Sequence, residues 1–319
     1  MFSLFIMQAA SYITQLMMKY GRMGWVILLL ASVSGLAAAD LGSTIHPVLP
    51  PVPVEQRLET AQSVPPVVDA PAVPVETTPE KEFWFPVGEE LVYDIYWGKI
   101  HVGQSRVTTS WREEEGRRLL SIRLKTRTNR VLSVMYPVDD YIESLIDPKD
   151  FIPVIFVKKL SEGRARKDEM TRFDHSAGVA HWQSNLNGKK ASFPIEKDTR
   201  DIPSLMYFLR QCELQPGESY EYQVMADEKV YAMTVHATKL ETVRLSKYGR
   251  VPSILLEPMA SFGGVFVRKG RMWMWVSRDS RRVATKISVE VPFANIHLYL
   301  REILGPGSEN WPAPILPPR

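Results

Sequence analysis

Across residues 120–125, within the expected strand 119–127, hydrophobic and polar side chains alternate without a break. Leu120, Ile122 and Leu124 fall on one side of the chain, and Ser121, Arg123, Lys125 and Arg127 on the other. A period of two is that of a β-strand, whose successive side chains point to opposite faces. The segment is therefore expected to lie in a sheet with one buried and one solvated face. Similar signals recur along the chain. Leu91, Tyr93, Ile95 and Trp97 share one face of residues 91–97, and Gly98 and Gly103 predict a turn or bulge before residues 104–111. The charged stretch 112–118, with Gly116, reads as a hairpin connection. Strands are expected at 141–146, 154–160, 168–174, 179–184, 219–225, 230–238, 253–258, 271–277 and 284–291, with turns at 147–150, Gly163, 176–178 and Asn187-Gly188.

One segment breaks this rhythm. Asp201 is placed to cap a helix, Pro203 sits in its first turn, and Ile202, Leu205, Met206 and Leu209 form one apolar stripe. Gln215-Pro216-Gly217 ends the unit. The predicted fold is mainly β: a single antiparallel, strongly curved sheet or open barrel of roughly ten or more strands, with one amphipathic helix, about residues 202–212, packed against it.

The chain divides into four parts. Lys19 and Arg22 precede an apolar run at 24–33, and small residues end in Ala37-Ala38-Ala39 before Asp40. A basic start, a short apolar core and a small-x-small site form the pattern of a secretory signal. The run is shorter than the roughly 20 residues of a membrane span. Residues 1–39 are thus read as a signal peptide cleaved after Ala39, with Met17 or Met18 as the expected true start, because 1–17 carry no charge. The alternatives are a long basic region or an uncleaved anchor. No cysteine stands at the cleavage site, which argues against a lipoprotein, and no transmembrane helix is expected in the mature chain. Residues 40–82 hold Pro47, Pro50, Pro51, Pro53, Pro65, Pro66, Pro71, Pro74 and Pro79 without a hydrophobic period, and read as a disordered proline-rich linker that supplies reach. Residues 83–305 are the β-rich domain, and 306–319 a proline-rich tail. The expected location is periplasmic or secreted.

Chemical signals are sparse. There is no Gly-x-Ser-x-Gly elbow, no His-Glu-x-x-His and no phosphate loop. The one cysteine, Cys212, cannot form an internal disulfide and reads as a small core residue. Lys plus Arg number 39 against 36 Asp plus Glu, and removing Lys19 and Arg22 leaves a near-neutral 37, so no nucleic-acid partner is indicated. His175 and His181 fall on one hairpin near Asp168 and Asp174, and are read as solvated strand-face residues rather than a metal or acid–base site. Asp139, Asp140 and Glu143 read as a solvated loop edge rather than a cation site or general base. Lys158, Lys159, Arg164, Arg166 and Lys167 read as hairpin decoration, with contact to lipid headgroups or anionic glycans as the alternative. No cofactor or metal is expected. Tyr93 and Trp97 in the first strand and Trp273 and Trp275 near the end are the candidate ligand-binding residues, as walls of an apolar pocket; core packing is the competing reading.

Several landmarks occur together: Phe85-Pro86-Val87-Gly88-Glu89-Glu90-Leu91-Val92-Tyr93-Asp94-Ile95-Tyr96-Trp97, then Val102-Gly103, Asp201-Ile202-Pro203-Ser204-Leu205, Leu214-Gln215-Pro216-Gly217 and Trp275-Val276-Ser277-Arg278-Asp279-Ser280-Arg281-Arg282-Val283. In order and spacing, from about residue 83 to 305, this set resembles the exported bacterial family known as domain of unknown function 3108. The resemblance implies a secreted or periplasmic β-rich protein with no assigned reaction, hence no family catalytic residues to carry over. One departure is that Val283-Ala284 stands where proline is common in the family. The resulting expectation is a non-catalytic envelope protein that binds an apolar or amphipathic ligand, such as a lipid, or an envelope component. A protein-interaction scaffold of the envelope and an enzyme acting on envelope polymers are the alternatives.

Overall fold

A computed structural model describes residues 82–226, 228–262, 265–266, 271–291 and 294–312. The expected signal peptide, nearly all of the linker and the end of the tail lie outside these residues. The first half of the domain is a meander of eight strands: β1 (Glu90–Trp97), β2 (Ile100–Glu114), β3 (Arg117–Thr128), β4 (Asp139–Asp147), β5 (Ile152–Glu162), β6 (Ala165–Asp174), β7 (Val179–Ser184) and β8 (Lys190–Pro194). The second half holds β9 (Ser219–Ala226), β10 (Lys229–Leu245), β11 (Gly249–Phe262), β12 (Val265–Phe266), β13 (Arg271–Ser277), β14 (Ala284–Val291) and β15 (Ala294–Leu304). A short helix α1 (Arg130–Ser133) lies between β3 and β4. The predicted helix is α2 (Ile202–Phe208), continued by a 3-10 turn at Leu209–Gln211.

All these strands form one antiparallel sheet. Its order is β8-β7-β6-β5-β4-β3-β2-β1-β15-β14-β13-β11-β10-β9, with β12 paired to β11 off this path. The pairing of β1 with β15 joins the two ends of the chain's strand series and is the one long-range closure; the other pairings follow chain order. Two bulges opposite β1 help the sheet to bend, one at Arg301 of β15 facing Val92 and Tyr93 and one at Val102 of β2 facing Ile95 and Tyr96. Gly103 allows the second strand to approach β3: a Cβ there would lie 2.2 Å from the carbonyl oxygen of Arg127.

The sheet is not closed into a full barrel by its own ladder. Its edges, β8 and β9, are linked by the segment that leaves β8. There Arg200 makes a single parallel bridge: its N–H donates to the Gln223 carbonyl at 2.9 Å, and Met225 N–H donates to its carbonyl at 2.8 Å. The Gln223 side chain accepts from Glu196 N–H and donates to the Glu196 carboxylate, both at 2.8 Å. This arrangement protects two short edges that would otherwise offer free backbone groups.

Leu120, Ile122 and Leu124 are buried as the alternation required, in a core that also holds Tyr93, Phe156, Leu256 and Ile287. Helix α2 packs into this core. Asp201 and Ser204 cap it reciprocally: the Asp201 carboxylate accepts from Ser204 N–H at 2.8 Å, and Ser204 Oγ accepts from Asp201 N–H at 3.0 Å. Ser144 Oγ on β4 donates to the same carboxylate at 2.6 Å, fastening the helix start to the sheet. Pro203, Leu205, Tyr207 and Leu209 are buried, while Ile202 and Met206 are half-buried against the core. No helix among the described residues is long and apolar enough to cross a membrane.

Candidate functional site

The strands leave side chains at two ends of the sheet. At the end where β1 begins, three distant segments meet. Glu89 is fully buried, and both of its oxygens are taken by arginines. The Arg210 guanidinium pairs with Oε1 and reaches Oε2 at 3.2 Å, and Arg281 Nη2 donates to Oε2 at 2.7 Å. Arg210 Nε also donates to the Arg281 carbonyl at 2.9 Å, and Arg282 donates to the Arg210 carbonyl at 3.2 Å. The Arg210 guanidinium lies over the Phe85 and Tyr207 rings, 5.2 and 4.8 Å from their centroids. Burial alone would raise the Glu89 pKa, but the charges and hydrogen bonds of Arg210 and Arg281 together hold it below the usual carboxylate range.

These residues come from the segment 85–97, from the turn after α2 and from the segment 275–283, so two of the landmark stretches converge on one buried cluster through Arg210, which lies between two others. A family model, Protein of unknown function (DUF3108), matches residues 92–301. The chain belongs to the DUF3108 family. No curated protein matches it. Among solved structures, the crystal structure of a β-barrel-like DUF1849 protein from Brucella abortus is similar at 11% identity and a TM-score of 0.47, covering 68% of this chain and 97% of that one.

Inside the DUF3108 domain, next to the buried cluster, the described residues line a cavity of about 30 Å³ between Leu91, Tyr93, Val107, Pro203, Tyr207 and Arg210. That space suits one or two water molecules, not a lipid chain. Tyr93 Oη donates to the Ala284 carbonyl at 3.0 Å, whereas the buried Tyr207 hydroxyl has no hydrogen-bond partner. Burial pushes both phenols well above their ordinary pKa.

The four aromatic residues expected to share a wall lie on two faces. Tyr93 points inward, and Trp97, in register with Ile296, follows it on the same face by alternation. Met274 and Val276 line the inner cavity, so Trp273 and Trp275, which alternate with them on β13, face outward. There Trp275 Nε1 donates to Glu241 at 2.6 Å, Lys286 Nζ lies 4.3 Å from the Trp275 ring, and Arg271 lies 4.7 Å from the Trp273 ring. Lys286 also approaches Tyr299, whose ring contacts Tyr96. The outer face thus carries half-buried aromatics on β13, β15 and β1, with Lys286 of β14 between them.

The acidic trio belongs to a strand, not to a solvated loop edge, and does not converge. Asp139 is exposed and paired with Arg127 at 2.9 and 3.1 Å. Asp140 is buried on the inner side; its Oδ1 accepts from Ser161 N–H at 2.7 Å and its Oδ2 has no partner. Burial pushes its pKa up to about 8, with a contribution from nearby Glu162, which burial pushes to about 7. Glu143 is buried on the outer side, accepting from Arg112 and Ser121 at 2.6 Å and from Tyr141 at 2.7 Å. Burial opposes its ionisation, yet these hydrogen bonds and the charges of Arg112 and Arg123 keep its pKa low. Lys158, read as surface decoration, is buried and ion-paired with Glu169 at 2.5 Å. Cys212 is half-buried beside Tyr222, and burial raises its thiol pKa. Among the described residues no three His, Cys, Asp or Glu side chains gather as metal ligands.

The two hairpin histidines do share a site. An outer cleft of about 480 Å³ is floored by Ile152, Val154 and Phe173 and rimmed by Arg117, Asp147, Arg172, Asp174, His175 and His181. Most of its polar groups are already engaged, His175 Nδ1 being buried without a partner. Arg117 donates to Asp147 at 2.8 Å, and Arg172 pairs with Glu115 at 2.9 Å. Asp174 accepts from Ser176 Oγ at 2.6 Å and Ala177 N–H at 2.8 Å. His175 Nε2 lies 2.8 Å from the Pro153 carbonyl, so that nitrogen carries a proton, and its ring stacks on Phe173. His181 Nδ1 pairs with Ser192 at 2.9 Å. The turns that bring Arg117, Asp147 and Asp174 together are separated by about thirty residues each, and no sequence signal marks them as neighbours.

Proposed function

We propose that this domain is an exported, non-catalytic binding protein of the cell envelope, and that it holds a small amphipathic ligand in the outer cleft. The cleft volume carries the reading: about 480 Å³ lies within the range of ligand sites, whereas the inner cavity is about 30 Å³. An apolar floor of Ile152, Val154 and Phe173 beneath charged rims suits a molecule with one apolar and one polar side. Catalysis is disfavoured because the Asp147 and Asp174 carboxylates at the cleft and one ring nitrogen of each histidine are tied to structural partners. Filling the floor with Val154→Trp is expected to abolish a ligand seen by native mass spectrometry of protein purified from its own envelope, while shifting stability by less than about 1 kcal/mol. A ligand retained in full by that variant would exclude the cleft.

The export signal and the linker support an envelope location. N-terminal sequencing of the native protein is expected to begin at Asp40; an intact amino-terminal segment would instead favour an anchored chain. A second reading rests on the outer aromatic band. Trp273, Trp275, Tyr299 and Tyr96 offer a protein partner a half-exposed surface of the kind enriched at interfaces. Under that reading Trp273→Ala and Trp275→Ala remove a copurifying protein, and the cleft variant does not.

A further inference from the structure

In an antiparallel meander every second connection returns to the same end. The connections β1–β2, β3–β4, β5–β6 and β7–β8 therefore lie together, opposite the end that holds the cleft and Glu89. Hydrogen bonds join the first three: Asn129 N–H donates to the Val102 carbonyl at 2.9 Å, Asn129 Nδ2 to the His101 carbonyl at 2.7 Å, and Gly163 N–H to the Pro137 carbonyl at 2.8 Å. Asn185, in the fourth, donates from its N–H to the Asp168 carbonyl on β6 at 2.8 Å.

Two features coincide on these tips. Of the seven large hydrophobic side chains exposed among the described residues, five are here: Ile100, Val131, Val134, Met135 and Leu186. Val131, Val134 and Met135 are 81, 86 and 74% exposed on and beside α1, which is far beyond incidental exposure. Between them stand the exposed cations Lys99, Arg130, Arg164, Arg166, Lys189 and Lys190, and the stretches 98–100, 129–138, 163–167 and 185–190 contain no Asp or Glu. Arg166 is held at its tip by hydrogen bonds to the Gly163 and Ala165 carbonyls, at 2.9 and 2.7 Å, which leave its charge unneutralised.

We propose that this end of the domain docks on an anionic lipid surface, with the apolar tips entering the headgroup boundary and the surrounding lysines and arginines contacting the headgroups. Charge complementarity selects the occupant. The chain as a whole is nearly neutral, whereas the four tip stretches carry six exposed cations and no carboxylate, the flanking Asp139 and Asp168 being paired with Arg127 and with Asn185 and Lys159, and apolar residues spread over separate hairpin tips match a planar bilayer boundary. The inference does not depend on the cleft or on the compartment. If the cleft reading also holds, docking leaves the cleft pointing into the aqueous phase.

The test uses the full chain carrying Cys212→Ala and one added cysteine labelled with an environment-sensitive fluorophore. The labelled sites are Val134→Cys and Leu186→Cys on the tips and Ser246→Cys at the opposite end. Vesicles of phosphatidylcholine with one-quarter phosphatidylglycerol are expected to blue-shift the two tip probes and leave the Ser246 probe unchanged. The shift should disappear at 0.5 M NaCl and with pure phosphatidylcholine. Neutralising Lys99, Arg130 and Lys189 together with glutamine should weaken partitioning by at least about tenfold. Equal responses at both ends, tip probes that stay in water, or a salt-independent shift would each overturn the proposal. Attachment through the apolar run 24–33 alone gives the second of these results, so it cannot imitate docking.

Discussion

Replacing Glu89 with alanine is expected to destabilise the domain by about 3–5 kcal/mol, the cost of leaving a buried charge without its partner. Arg210 is as buried as the carboxylate it faces, and Arg281 is nearly so. Without Glu89 the two guanidinium groups oppose each other at the foot of the core. At roughly 2–4 °C per kcal/mol for a domain of this size, the melting temperature should fall by about 10 °C. Glu89→Gln should fall between the two proteins, because an amide keeps the shape and one acceptor but not the charge. The pH dependence supplies an independent check. The folded pKa of Glu89 is depressed, so its contribution is present above the ordinary carboxylate pKa and is lost as pH falls through the folded value. A Glu89→Ala protein with unchanged melting temperature would show that the cluster is solvated in solution.

The second large effect runs in the opposite pH direction. Asp140 and Glu162 are buried with raised pKa values, about 8 and about 7 against ordinary values of 3.8 and 4.5. A raised folded pKa means that the native state holds protons that the unfolded chain releases. Their contribution is therefore complete below about pH 4 and is lost as pH rises to about 8. Unfolding free energies from denaturant titrations should fall across this window, by on the order of 1–3 kcal/mol between pH 5 and pH 8. The double variant Asp140→Asn, Glu162→Gln should flatten that slope and be the more stable protein at pH 8, since Asn can still accept from Ser161 N–H. The acid limb, governed by Glu89 and Glu143, should remain. An unchanged slope in the double variant would assign the pH dependence to other groups.

Much of the architecture was legible in the residues. The alternation from Leu120 onward determined both the strand and the sides of its residues, because a period of two admits no other regular structure. The Asp201 cap, Pro203 and the apolar stripe located α2, although its last residues tighten into a 3-10 turn before Cys212. Asp140 and Glu143, read as a solvated loop edge, instead lie on opposite faces of β4, and both are buried. The outer side is covered by Arg112 and Arg123 reaching over Glu143 from neighbouring strands, and such cover depends on register between strands.

The aromatic residues show the same division. Period two placed Tyr93 and Trp97 together and Trp273 and Trp275 together. Only the pairing of β1 through β15 and β14 to β13 decided that the two pairs occupy opposite faces of the sheet. Lys158 looked like a surface lysine because its partner Glu169 lies on the next strand. The sequence by itself determined the local periods, the helix and the landmark segments of the family. These depend on contacts between residues a few positions apart. The tertiary structure decided the burial of Glu89, the outer cleft and the cationic apolar end. Each is made by residues brought together through strand pairing, from as far apart as the 192 positions between Glu89 and Arg281, and a single sequence carries no local record of that pairing.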